Sequence, residues 1–178
     1  MNVIKVGKIL TVLILFIFFV GCGYRPSSQY SKRILGNKIY AEVFIDVHNP
    51  ENSVLIKDAV NEAIVAEFKS KIVDKKDEAN SEFFVKFNSI SFTPTAYDPN
   101  GYVVAYRATV SLNIIYIDKF GKKGTFNVSG IYDFSIEANS VISDTKRFDA
   151  IKFASYKAIG EFVSKVAIKG ILNGNENK

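Results

Sequence analysis

From Tyr102 to Ile117 one side of a period-two pattern is apolar throughout. The even positions are Tyr102, Val104, Tyr106, Ala108, Val110, Leu112, Ile114 and Tyr116, all apolar or aromatic. Opposite them lie Arg107, Thr109, Ser111 and Asn113. A period of two held this long is the signature of a β-strand with one face in a core and the other in a polar setting. The chain must therefore build a sheet, and something else in it must cover one face.

Five other segments carry a readable period. "KIYAEVFIDVH" (38–48) sets Ile39, Ala41, Val43, Ile45 and Val47 against Lys38, Glu42 and Asp46, a half-buried strand. "NPENS" then turns the chain and starts a helix, with Asn49 or Ser53 placed to cap it. From Val54 to Val73, Ile56, Ala59, Val60, Ala63, Ile64, Phe68 and Ile72 recur at three- and four-residue steps, one stripe of an amphipathic helix. "FFVKFNSISF" (83–92) predicts a second strand whose phase slips near Asn88–Ser89, as at a bulge. Past the Tyr102–Ile117 strand, a fourth places Phe126, Val128, Tyr132, Phe134 and Ile136 opposite Thr125, Asn127, Ser129, Asp133 and Ser135. Arg147 to Leu172 predicts a second helix, striped by Phe148, Ile151, Ala158, Ile159, Phe162, Val163 and Val166.

Between these elements, "DKKDEANSE" (74–82) reads as a solvated loop, and "TPTAYDPNG" (93–101) and "DKFGKKG" (118–124) as turns. The order β-α-β-β-β-α predicts an α+β domain over 38–172, a two-layer sandwich with two helices on one face of a four-stranded mixed sheet. Strands one and two, joined through the helix, run parallel where they are neighbours; the later hairpins are antiparallel. "NGNENK" (173–178) reads as a disordered tail.

Ahead of the domain, "LILFIFFVGCGYRPSS" (13–28) ends an apolar run on the chain's single cysteine. Ile9 to Val20 is apolar apart from Thr11, short of the roughly 20 residues a membrane-spanning helix needs. Lys5 and Lys8 precede the run, and Gly21 and Gly23 follow it, the layout of a signal peptide over 1–21. "FVGC" resembles the lipobox of bacterial lipoproteins, with Phe19 where leucine is usual. Cleavage there would leave Cys22, carrying a diacylglyceryl group and an N-acyl chain, at the head of an acylated tether, 22–37. An ordinary signal peptide with a coincidental cysteine, or an uncleaved anchor, is the competing reading. Two or three acyl chains hold a protein stably on a membrane. By resemblance to enterobacterial sorting, Gly23 rather than aspartate after the cysteine points to the outer membrane. With Cys22 acylated, no thiol remains for a disulfide, a metal or a nucleophile.

Charge excludes further classes. Without Lys5 and Lys8, the 23 basic residues of the chain fall to 21 against 18 acids, a mild excess. No basic run exceeds "DKKDE" and "GKKG", so nucleic acid is not an expected partner. The lone histidine, His48, reads as a strand-end polar residue, because a general base needs an oriented partner. Phosphate loops, metal-ligand spacings and nucleophile elbows are lacking in the sequence, so no catalytic or metal residue is assigned and no cofactor is expected beyond the covalent lipid. The reading left is a surface. The uncovered sheet face would carry Arg107, Thr109, Ser111, Asn113, Asn127, Ser129 and Asp133, with Tyr40, Phe44 and Phe84 as candidates to share it. Arg107 suits bidentate contact with phosphate or carboxylate, and Lys119, Lys122 and Lys123 form a basic turn that could meet anionic phosphates.

The lipobox running into "GCGYRP", followed by these elements in this order, resembles the LPS-assembly lipoprotein family, LptE. "NGYVVAYRATVSLNIIYID" and "SGIYDFSIEANSVISDTKRFDAIKFAS" resemble in particular its epsilonproteobacterial members, such as those of Campylobacter. The resemblance covers essentially all of the chain after the signal peptide. It implies a non-enzymatic outer-membrane lipoprotein on the periplasmic face that plugs the LPS-assembly β-barrel, LptD, and helps it fold. It also implies a part in delivering lipopolysaccharide or lipooligosaccharide to the outer leaflet. Which basic residues would meet the lipid is not carried over, so Arg107, Lys119, Lys122 and Lys123 rest on their chemistry alone. Two other classes stay open: a lipoprotein module that activates a periplasmic peptidoglycan synthase or a secretion channel, and a lipid-anchored enzyme.

Overall fold

The long alternating segment forms a strand, Val103–Ile117, and from Ala108 to Tyr116 each even side chain is buried. The computed structural model describes residues 32–44 and 50–175, with the side chains of 32–44 and 57–169. In chain order the elements are β1 (Lys38–Phe44), α1 (Pro50–Phe68), β2 (Lys71–Val73), a 3-10 turn (Lys76–Glu78), β3 (Ser81–Tyr97), β4 (Val103–Ile117), β5 (Lys123–Ser135) and α2 (Asp144–Asn175). The sheet order is β2-β1-β3-β4-β5; β1 runs parallel to β2 and β3, and the two hairpins are antiparallel.

The α+β class, the mixed sheet and the parallel β1–β3 pair agree with the sequence pattern. The strand count does not: there are five strands, not four. The predicted first helix stops at Phe68 because Lys69 takes the left-handed backbone, φ +50, with its N–H on the Val65 carbonyl at 2.9 Å. Ile72, read as the end of the helical stripe, instead lies in β2 beside Ile39. Three residues are too few to show a period of two.

Other boundaries moved for related reasons. β3 continues through "TPTAY" to Tyr97, and Pro94 sits opposite Tyr106. Among the described residues no strand flanks β3 on the β1 side beyond Lys86, so a proline there forfeits little ladder bonding. The bulge expected near Asn88 falls between Phe87 and Ser89 and keeps Ile90 and Phe92 on the same face as Phe87. Residues 32–35, expected in the tether, are helical, and Leu35 is fully buried. Asn80 Oδ1 accepts from the Asn37 and Lys38 N–H groups, and Ser81 Oγ donates to the Leu35 carbonyl, so the start of β1 is tied to the start of β3. The second helix begins at Asp144 and runs through 173–175. Residues 1–31, which include Cys22, residues 45–49, which include His48, and residues 176–178 lie outside the described residues.

One layer of side chains fills the space between helices and sheet. Phe68, Phe83 and Phe162 meet edge to face at 5.3–5.9 Å between ring centroids, a preferred aromatic geometry. Around them pack Ile39, Ile64, Leu112, Ile114 and Ile159. In α2 the buried face includes the small residues Ala150, Ala154, Ser155 and Ala158. It lies so close to β5 that a Cβ on Gly130 would stand 1.9 Å from the Ala154 carbonyl oxygen.

Candidate functional site: the open face of the sheet

Side chains alternate across a strand, so the residues that leave the core build the opposite face together. On β4 these are the odd positions, and register gives each its neighbours: Arg107 faces Asp133, Ser111 faces Ser129, Asn113 faces Asn127 and Ile117 faces Lys123. On the other side, Ile115 faces Phe84, which in turn faces Glu42 of β1. Both helices pack on the other side of the sheet, against the buried even positions.

Two polar pairs cross between β4 and β5 on this face. Arg107 Nε and Nη2 donate to the two Asp133 carboxylate oxygens at 2.7 and 2.9 Å, a bidentate fork. The hydrogen bond from Arg107 holds the Asp133 carboxyl below its ordinary range, and the same bond raises the guanidinium above its own. Asn113 Nδ2 donates to Asn127 Oδ1 at 2.7 Å. Arg107 is thus not a free cation; an anion reaching it must compete with Asp133.

Tyr40, Phe44 and Phe84 do share the face. Phe44 and Phe84 stack at 6.3 Å, and Phe44 is 48% exposed. Lys76, in a segment whose sequence predicts a solvated loop, lies 5.2 Å over Tyr40 and 4.9 Å over Phe84, with Glu42 at 4.0 Å. Its contacts depend on a loop folding back across β1, a long-range event with no local pattern. The face is therefore polar from Arg107 to Asn113 and along β5 apart from Ile131, and aromatic where Tyr40, Phe44 and Phe84 meet.

The three hairpin lysines are elsewhere. Lys119 and Lys122 sit in the β4–β5 turn and Lys123 opens β5, ten residues along β4 from Arg107, or roughly 34 Å. All three are exposed, and none has a carboxylate within ion-pair distance among the described residues. The turn is held by Asp118, whose Oδ1 accepts from the Phe120 and Lys122 N–H groups at 2.9 Å, while Gly121 takes φ +79. Asp98 organises the β3–β4 turn in the same way through Asn100 and Tyr102.

The outer edge of the sheet is occupied. Glu161 Oε2 accepts from the Ser129 N–H at 2.8 Å, and Lys165 and Lys146 donate to the Asn127 and Ser135 carbonyls at 2.9 Å. Side chains of α2 thus take up three of the backbone groups that an edge strand would otherwise offer to another chain. A cleft of about 510 Å³ beside this edge is lined by Phe126, Lys165, Ile168 and Lys169. Lys169 lies over the Phe126 and Tyr116 rings, and Lys165 is tied to Glu161 at 2.9 Å. Among the described residues no group of three or more His, Cys, Asp or Glu side chains converges to hold a metal, and no helix is long and apolar enough to cross a membrane. The face offers hydrogen bonds and aromatic contact, the means of docking.

The family profile described as LptE, lipopolysaccharide-assembly, matches residues 40–166. No curated protein matches. Among solved structures, rare lipoprotein B from Shewanella oneidensis aligns at 11% identity and a TM-score of 0.40, over 79% of this chain and 96% of its own. A candidate lipoprotein from Caulobacter crescentus aligns at 13% and 0.44, over 82% and 95%. The PelC dodecamer from Paraburkholderia phytofirmans aligns at 11% and 0.37, over 72% and 87%. At those scores the likenesses add nothing to the family match.

Proposed function

This chain belongs to the LptE lipopolysaccharide-assembly family, and from that premise we propose that it is an acylated lipoprotein on the periplasmic side of the outer membrane that plugs the LptD barrel. It helps that barrel fold and assists delivery of lipopolysaccharide or lipooligosaccharide to the outer leaflet, making and breaking no covalent bond itself. The observation that carries the reading is the open face, left without a helix and bearing the Arg107–Asp133 and Asn113–Asn127 pairs beside an aromatic patch. The lumens of outer-membrane barrels are polar, so a face of this kind suits a lumenal wall better than a lipid one. Arg107 belongs to that face as half of its pair with Asp133.

A mild-detergent pull-down of the tagged protein from outer membranes tests this. A large β-barrel should co-elute in near-equal amount, and Phe44→Glu should reduce its recovery about tenfold while the circular dichroism spectrum stays unchanged; the estimate takes an interface aromatic at 1 kcal/mol or more. Recovery of a peptidoglycan synthase, a secretion channel or no partner would reject the barrel reading.

A further inference from the structure

The lysines of the β4–β5 turn are not isolated. Lys38 and Lys71 are neighbours at the starts of β1 and β2, and Lys69 stands at the end of α1 just before them. The Lys119 N–H donates to the Ile34 carbonyl at 3.2 Å, which sets the turn against the segment leading into β1. Topology therefore gathers Lys38, Lys69, Lys71, Lys119, Lys122 and Lys123 at one end of the sheet, all exposed. None of the six has an ion-pair partner among the described residues. Acids sharing this end are partly or wholly withdrawn: Glu67 and Glu82 are half-buried, and Asp118 is buried with its carboxylate committed to the turn. The neighbouring 74–80 loop carries two lysines and three acids, close to balance. Phe120, at the tip, is 75% exposed.

We propose that this end of the sheet docks on an anionic phospholipid bilayer, its lysines among headgroup phosphates and Phe120 in the interface. The array is broad rather than concave: from β2 to β5 it crosses four strand spacings, about 19 Å. Lysines act on phosphate as point charges, which suits a surface of many headgroups more than a single ligand held in a fork. The segment leading into β1 is also at this end. Lys32 is at this end, and Cys22 lies ten residues earlier, at most about 35 Å of extended chain. An acyl anchor on Cys22 and the lysine end could thus meet the same membrane. The inference goes beyond the barrel reading and stands without it.

Among the described residues the buried core runs from Leu35 to Ala167, so a chain from Gly23 onward keeps all of it and needs no acyl group for the test. That protein is floated with phosphatidylcholine vesicles with and without phosphatidylglycerol. Binding should require phosphatidylglycerol, weaken with salt, and fall on the order of 100-fold in Lys119→Gln/Lys122→Gln/Lys123→Gln. Lys57→Gln/Lys86→Gln/Lys157→Gln removes the same charge elsewhere on the domain and should bind nearly as the unmodified protein does. Equal loss in both triple variants would overturn the proposal, as would binding indifferent to phosphatidylglycerol. Binding confined to vesicles containing lipopolysaccharide would assign this end to that lipid and overturn it as well. Palmitate labelling of the full chain tests the anchor separately.

Discussion

Arg107 shows how much a side chain's meaning depends on the residue opposite. In the sequence it is a cation in mid-strand, apt for a phosphate; in the sheet it is locked to Asp133, 26 positions away. The pair is exposed and gives a pH prediction. The Asp133 carboxyl is lowered in the folded protein, chiefly by the hydrogen bond from Arg107, so the folded chain holds that proton less tightly than the unfolded chain. Its contribution to stability is therefore present above the ordinary carboxylate range and lost as pH falls through the lowered folded value. Comparing urea midpoints of the natural protein and Asp133→Asn across pH should show a gap at neutral pH that closes in acid. A gap that does not change with pH would mean the fork adds nothing to stability. Glu62, lowered first by its hydrogen bond from Lys152, contributes with the same sign.

At the scale of the element, α2 does most to shape the molecule. Its small buried residues let it lie against β5, and at Gly130 there is no room for a side chain. Gly130→Ala would press a methyl group into the backbone at Ala154 and Ala158, which cannot yield as a flexible side chain would. We expect a loss of about 3 kcal/mol, read as a lower urea midpoint. A change below about 0.5 kcal/mol would show that helix and strand can separate at little cost. The stripe on this helix was legible because large apolar residues recur at helical spacing. Ala150, Ala154 and Ser155 escaped that reading because small residues carry little hydrophobic signal, though they set how near the helix comes. Strand β2 escaped through brevity, and the end of α1 because lysine, unlike glycine, gives no warning of a left-handed turn.

For the whole molecule, the proposed anchor is the feature to test. Cys22→Ala should abolish palmitate incorporation and shift the protein from the membrane pellet toward the soluble fraction under salt washing. Retention of the label would end the lipoprotein reading. If the label is lost but membrane attachment persists, the lysine end and the proposed barrel are the two remaining contacts, and salt separates them because surface electrostatics is screened.

The sequence by itself determined the α+β class, the antiparallel hairpins and most of the core, because side-chain alternation and helical spacing are local records of burial; the parallel pairing depended on which strands became neighbours. Tyr40, Phe44 and Phe84 could be placed on the open face for the same reason. Only the tertiary structure decided what these positions meet. It set Asp133 against Arg107, laid Lys76 over Tyr40 and Phe84, and added β2 at the sheet edge. It also collected lysines from β1, α1, β2 and the last hairpin at one end. Such pairings depend on register and on loops folding back, and those are fixed by the packing of distant segments rather than by neighbours along the chain.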